Sequence, residues 1–297
     1  MYYAVESRDP GIWLDGLLQR IDGTPSVHWC ALVDGVFDHK GRPFTALAQR
    51  YPLYSDAGAL RDLVPASPYL LPLDGMASVE RRDLLAALGT HCQGRPMLSF
   101  VASWQSAERL AALWQPCLQP IIADDDTPYL LRFADTRVLS ALPAVLSQQG
   151  WDRLTAPLVQ WHLVNREGAL EMLPLAEPRA EPEAYPNEPL VLSQDELDRM
   201  VDAAMPDAVL DLMYREALLP EIERAEAYRL VARSCGVARM YRIEAALDIA
   251  LLALYAMARG EASLEAPELL QWLGRSRQSE STFREYLLSG LGDGGAL

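Results

Sequence analysis

Lysine is almost missing from this sequence. Lys40 is the only one among 297 residues, and 26 basic side chains face 41 acidic ones, for a formal charge of −15. That balance excludes a binder of duplex nucleic acid, which needs clustered Lys and Arg to displace phosphate counterions. It argues equally against docking on anionic membranes. Long hydrophobic runs are missing too. The most apolar stretch, residues 245–258, is interrupted by Asp248 and falls short of the ~20 residues that span a bilayer. The first residues show no basic segment followed by an apolar run, so a secretory leader is not expected. Cys30, Cys92, Cys117 and Cys235 form no C-x-x-C pair, and reduced buried thiols in a cytoplasmic protein are the expectation. There is no G-x-S-x-G elbow, no Gly-rich loop ending in Lys, no H-E-x-x-H and no Cys/His zinc spacing. The glycine-rich run 290–295 has no helix after it to bind an anion and reads as a tail.

Half of the residues are hydrophobic, the composition of a folded globular protein, and the length suggests two domains. In the first 175 residues short apolar runs alternate with helical patterns. Residues 27–33 are nearly continuous in apolar character and end at Asp34-Gly35, which fits a strand buried on both faces and closed by a turn. Residues 68–73 repeat the design, although Pro72 suggests an edge or irregular strand. A helix over 79–91, a strand over 97–102, a helix from 106 and a helix capped by Asp135 follow. Residues 158–173 alternate about a Gly-bearing turn, a hairpin signal. The expected fold is an α/β lobe (1–175) with a mixed, mainly parallel sheet.

Residues 176–190 form a Pro/Glu-rich linker, and an all-α lobe (191–297) follows. Ser193-Gln-Asp-Glu196 is a capping-box sequence, and helices are expected at about 193–204, 207–217, 221–235, 239–258, 267–273 and 280–289. Gly236, Gly260, Gly274 and Gly290 stand where C-terminal caps would be, and the all-round apolar 245–258 segment is expected at the centre. Residues 171–202 hold nine acids against two arginines, a local charge of −7. Glu188, Asp195, Asp198 and Asp202 of that stretch are candidates for steering a basic partner segment. Leu247, Leu251 and Tyr255, on the apolar helix, are candidates for receiving a partner helix. A groove between the two lobes is the other expected place for it.

Asp34, Asp38 and His39, at the end of the first strand, are the one set that suits a small metal-dependent or hydrolytic enzyme; a turn and a solvated loop are the alternative. Asp124, Asp125 and Asp126 have oxygen ligands for a hard cation, but consecutive side chains diverge. No catalytic residue, metal or cofactor is assigned. The four histidines are scattered, and His28 and His162 are expected at the surface or partly satisfied. Arg132, Asp135 and Arg137 place two guanidiniums and a carboxylate at a strand-to-helix junction that bidentate pairing can lock.

Three blocks, in order, also carry a family resemblance. Trp29-Cys-Ala-Leu-Val-Asp34-Gly35-Val-Phe-Asp38 resembles the W-Y-A-L-V-D-G-A strand that opens the domain of unknown function 4123 family. Ser67-Pro68-Tyr69-Leu-Leu-Pro-Leu73 resembles its G-P-Y-L-V-x-L strand. Arg132-Phe133-Ala-Asp135-Thr-Arg137-Val-Leu139 resembles its R-F-Y-D-P-R-V-L signature, with Ala134 and Thr136 in place of the aromatic and the proline. The resemblance covers about residues 27–150. It implies an adaptor-chaperone of bacterial type VI secretion: a non-catalytic cytoplasmic protein that binds a toxic effector and helps load it onto the VgrG spike. An immunity-like toxin-binding protein is the other protein-binding alternative.

Overall fold

The computed structural model describes residues 2–38, 44, 49–56, 58–123, 127–175, 187–275 and 285. The chain separates into two compact units, Ser7–Ala203 and Met1–Glu6 with Ala204–Leu297. The first unit holds β1 (His28–Val33), β2 (Tyr51–Pro52), β3 (Tyr69–Pro72), β4 (Leu98–Ser103), β5 (Ile121–Ile122), β6 (Leu158–Val164), β7 (Leu170–Met172) and β8 (Val191–Leu192). Its helices are α1 (Gly11–Gly23), α2 (Ser78–Cys92), α3 (Ala107–Leu118), α4 (Thr136–Val145) and α5 (Gln148–Thr155).

Six strands form one sheet in the order β2-β3-β1-β4-β6-β7, and each neighbouring pair is antiparallel. Only β5 and β8, a separate small pair, run parallel. The expectation of a mainly parallel sheet is therefore overturned. Its physical basis was the strand-helix-strand alternation, and β3-α2-β4 is such a unit. However, β1 lies between β3 and β4 and runs antiparallel to both. The two strands joined by the helix are thus parallel to each other without touching.

The apolar character of the strands reflects cover on both faces, which parallel and antiparallel sheets can share. Cys30, Leu32, Leu70, Val101 and Trp161 share one core with residues of α3, α4 and α5. There the Trp161 ring stacks with Trp114 (centroids 5.5 Å apart) and with Trp151 (6.1 Å), while Phe133 meets Trp161 edge-on. Each indole N–H finds an acceptor: Leu154 O for Trp114, Pro174 O for Trp151 and Ser99 Oγ for Trp161. On the other face Trp13 of α1 packs on Phe100, and His162 stacks on Trp29. His162 is thus buried rather than at the surface, and its Nε2 lies 2.9 Å from Gln160 Oε1, which leaves it partly satisfied, the other expectation for this residue. Pro72 sits in a strand second from the edge. The two-residue β2 pairs only with Tyr69 and Leu70, so no ladder bond to β2 is required at Pro72.

α6 (Gln194–Arg215) runs from the sheet unit into the helical unit, which continues with α7 (Arg224–Met240), α8 (Ala246–Arg259) and α9 (Pro267–Arg275). Pro206 lies inside α6, where two helices were expected, and Gly236 and Gly274 lie inside α7 and α9. Gly260, at φ 87°, follows the end of α8. Gly290, most of the expected 280–289 helix and linker residues 176–186 lie outside the described residues. Ile249–Leu254 are buried at the centre of the helical core. The N-terminal residues join this unit: Ala4 is fully buried, the Tyr2 N–H donates to Asp211 Oδ1 (3.1 Å), and the Ala225 N–H donates to Glu6 Oε1 (2.9 Å). On the surface, Arg229 pairs with Glu261 and Arg233 with Glu265, which ties α7 to the 3-10 turn Glu261–Glu265 that follows α8.

Two glycines make opposite demands. A Cβ at Gly35 would lie 2.3 Å from the Ser67 carbonyl oxygen, whereas one at Gly236, in the exposed part of α7, meets nothing within 4 Å. Gly35→Ala is expected to destabilise the sheet unit by roughly 3 kcal/mol, the scale of an overpacked site. Gly236→Ala is expected to stabilise the helical unit by about 1 kcal/mol. Urea unfolding of both variants checks the pair.

Candidate functional site

β1 delivers Asp34 to the end of the sheet, where its backbone N–H donates to Met97 O (2.9 Å). The side chain is fully buried. Its Oδ1 accepts the Val36 N–H (3.1 Å), starting the turn at Gly35–Phe37, and its Oδ2 accepts from Arg132 Nη2 (2.8 Å). Gly35 is required because the Ser67 carbonyl comes so close to it. Asp135 caps α4 by accepting the Arg137 N–H, and the same carboxylate takes the Arg137 guanidinium through Nε (3.0 Å) and Nη2 (2.7 Å). Arg132 also lies 3.8 Å from Asp135. Both guanidinium groups sit over the Phe37 ring, at 5.4 and 5.5 Å, and Arg95 donates to the Phe37 carbonyl. Residues 98 and more apart in sequence thus close one charge cluster around one aromatic ring.

Burial pushes the Asp34 carboxyl up to about 6, and the pull of Arg132 and of the Val36 N–H only partly offsets it. Nε of Arg132 is buried without a hydrogen-bond partner. The cluster therefore holds its geometry at an electrostatic cost. Next to it, Asp38 Oδ1 lies 2.9 Å from His91 Nε2, and the Tyr69 hydroxyl donates to Asp38 Oδ2 (3.4 Å). The Phe44 ring meets His91 at a tilt of 55°, and Arg50 lies over Tyr69. Burial raises the thiol of the neighbouring Cys92 far from its reactive range. His39 lies outside the described residues, so its place beside Asp34 and Asp38 is not part of this geometry. Trp29 sits at the other end of β1, where its indole N–H donates to Thr24 Oγ1 (2.9 Å). Pro68 accepts the Leu53 N–H beside Ser67, and Phe133 is in the core.

Residues 29–153 match the family model described as domain of unknown function (DUF4123), a family linked to type VI secretion. No significant match is found among curated proteins or among solved structures. The matched stretch runs from β1 into α5 and contains Asp34, Arg132, Asp135 and Arg137 together with Phe37, His91 and Arg95. Sequence reasoning missed the last three. His91 ends the expected 79–91 helix, and nothing local signals that it, Phe37 and Arg95 converge.

The other candidates lie apart. Glu188, Asp195 and Asp198 are exposed around β8 and the start of α6, and Asp202 is half-buried further along that helix. Glu196 closes the capping box with Ser193 and also accepts the Ser147 N–H (2.6 Å), joining the starts of α5 and α6. On α8, Leu247 is exposed, Tyr255 half-buried and Leu251 part of the core. Asp124–Asp126 lie outside the described residues; among the described ones no cluster of His, Cys, Asp and Glu could hold a metal. A pocket of about 400 Å3 at the start of β1 is walled by the hydrogen-bonded pair His28–Asp74 and the ion pair Arg81–Asp22, each at 2.9 Å.

Two buried groups give opposite pH dependences. Asp34, raised to about 6, favours the folded state while protonated, so its contribution is lost as pH rises from about 4 to about 6. His162, lowered by burial to about 4, stays neutral when folded, so its contribution is lost as pH falls from about 6.5 to about 4. Across this shared window the two slopes oppose each other. Unfolding free energies between pH 4 and 7 are expected to rise more steeply with pH in Asp34→Asn than in the parent. In His162→Phe they are expected to rise less or to fall.

Proposed function

We propose that this protein is a non-catalytic adaptor that binds a type VI secretion effector in the bacterial cytoplasm and assists its loading onto the VgrG spike protein. The observation that carries the reading is the family match over residues 29–153, which contains all three motif blocks. The arrangement of those blocks supports it. Asp34, Asp135, Arg132 and Arg137 bind one another and leave Asp34 fully buried, an arrangement suited to holding a surface in shape rather than to touching a substrate. The −15 charge supports a protein partner over a nucleic acid or an anionic membrane.

The test is co-expression of the tagged full chain with each toxin encoded beside its gene, and separately with the neighbouring spike protein. A stable complex with one toxin, recovered by affinity capture and gel filtration, is the expected result. An immunity protein would instead protect cells from that toxin when expressed alone, and an adaptor would not. Failure to form a complex with any neighbouring toxin would overturn the reading.

A further inference from the structure

The small β5–β8 pair has an unusual outer side. Extended backbone sends alternate side chains to opposite faces, and here both faces are apolar. Inward, Ile122, Leu192, Leu118, Leu131 and Leu190 are buried in the core of the sheet unit. Outward, Ile121 stands opposite Val191 on one side and Pro128 on the other. The Tyr129 and Leu131 N–H groups donate to the carbonyls of Pro120 and Leu118, which extends the ribbon and puts Leu130 on the same outer side as Pro128. Val191 is 51 % exposed and Leu130 39 %, and Pro128 and Pro189 are exposed. Water-facing positions of such a ribbon ordinarily carry polar residues, so a run of Ile, Val, Leu and Pro there marks a contact surface.

The charge of the two segments that build this face says what fits it. The described parts of these segments, 121–123, 127–130 and 187–198, contain four acidic side chains and no basic one, and three of the four, Glu188, Asp195 and Asp198, are exposed. The nearby arginines are engaged, Arg153 with the Glu188 carbonyl (2.7 Å) and Arg199 with Asp195 (3.2 Å). A second copy of this chain would bring the same acids against themselves. We propose that the outer face of the β5–β8 ribbon docks an extended segment of a partner protein that combines apolar and basic side chains. The inference rests on the adaptor reading only for the identity of the natural partner.

Fluorescence anisotropy of the full chain with a labelled peptide of alternating leucine and arginine tests it, with a leucine–glutamate peptide as control. The arginine peptide is expected to bind, more weakly as salt rises, and the glutamate peptide not to. The double variant Leu130→Asp/Val191→Asp is expected to weaken binding roughly tenfold or more, although it adds negative charge that would favour a purely electrostatic association. Its circular dichroism and melting temperature should match the parent; should it fail to fold, Glu188→Lys, at an exposed side chain, is expected to weaken binding in its place. Undiminished binding by the folded variants, equal binding of the glutamate peptide, or a dimer of the parent chain dissolved by Val191→Asp would each overturn the proposal. Peptide binding that depends on these residues, with no toxin recovered in co-expression, would keep the surface and remove the adaptor reading.

Discussion

A fully buried carboxylate at the end of β1 holds the sheet unit together. Asp34 is bound by the chain on every side: by Met97 through its backbone, by the turn it starts, and by Arg132 from a loop 98 residues later. A buried charge without a partner costs several kcal/mol, so every group that reaches Asp34 is constrained by it. The consequences spread outward. Gly35 can have no side chain because the Ser67 carbonyl lies over it, and Arg132 and Arg137 lie along Phe37. Asp135 serves at once as helix cap and as counter-ion. The unpartnered Nε of Arg132 and the raised Asp34 carboxyl are what this arrangement costs.

That end of the sheet and the β5–β8 ribbon are built by different physics. The first is polar, buried and paired within itself except at Arg132 Nε, and it ties together β1, β4, the Ser67–Pro68 segment and α4. The second is apolar, exposed and flanked by acids, and it has unused contact capacity. In an adaptor the two are complementary: a rigid polar knot keeps the frame, and an incompletely covered surface meets the partner.

Much of the local structure was legible in the sequence. The strand ending at Asp34-Gly35, the hairpin over 158–173, the Asp135 cap and the Ser193–Glu196 box can each be read from neighbours within a few residues. The acidic excess and its concentration near 171–202 can be read by counting. The candidate site was legible only in fragments: Asp34 stood out with Asp38 and His39, and Arg132 with Asp135 and Arg137, but Phe37, His91 and Arg95 gave no signal because their partners are distant in sequence. For His162 two outcomes stayed open, surface or partly satisfied, because alternation in β6 assigns a residue to a face without saying whether that face is covered.

The sequence by itself determined single local features such as the strand ending at Asp34-Gly35, the Asp135 cap and the Ser193–Glu196 box, which segments are apolar, and that the chain carries excess negative charge. Those properties follow from side-chain chemistry and short-range spacing. Only the tertiary structure decided strand direction, since inserting β1 between β3 and β4 turns a strand-helix-strand unit into part of an antiparallel sheet without changing any local pattern. Only it decided that residues 2–6 pack with the helical unit, and that Val191 and Leu130 face outward while Leu192 and Leu131 face in. The lysine-poor, acidic composition excludes classes of partner; which surface is left for a partner depends on which apolar side chains the fold covers.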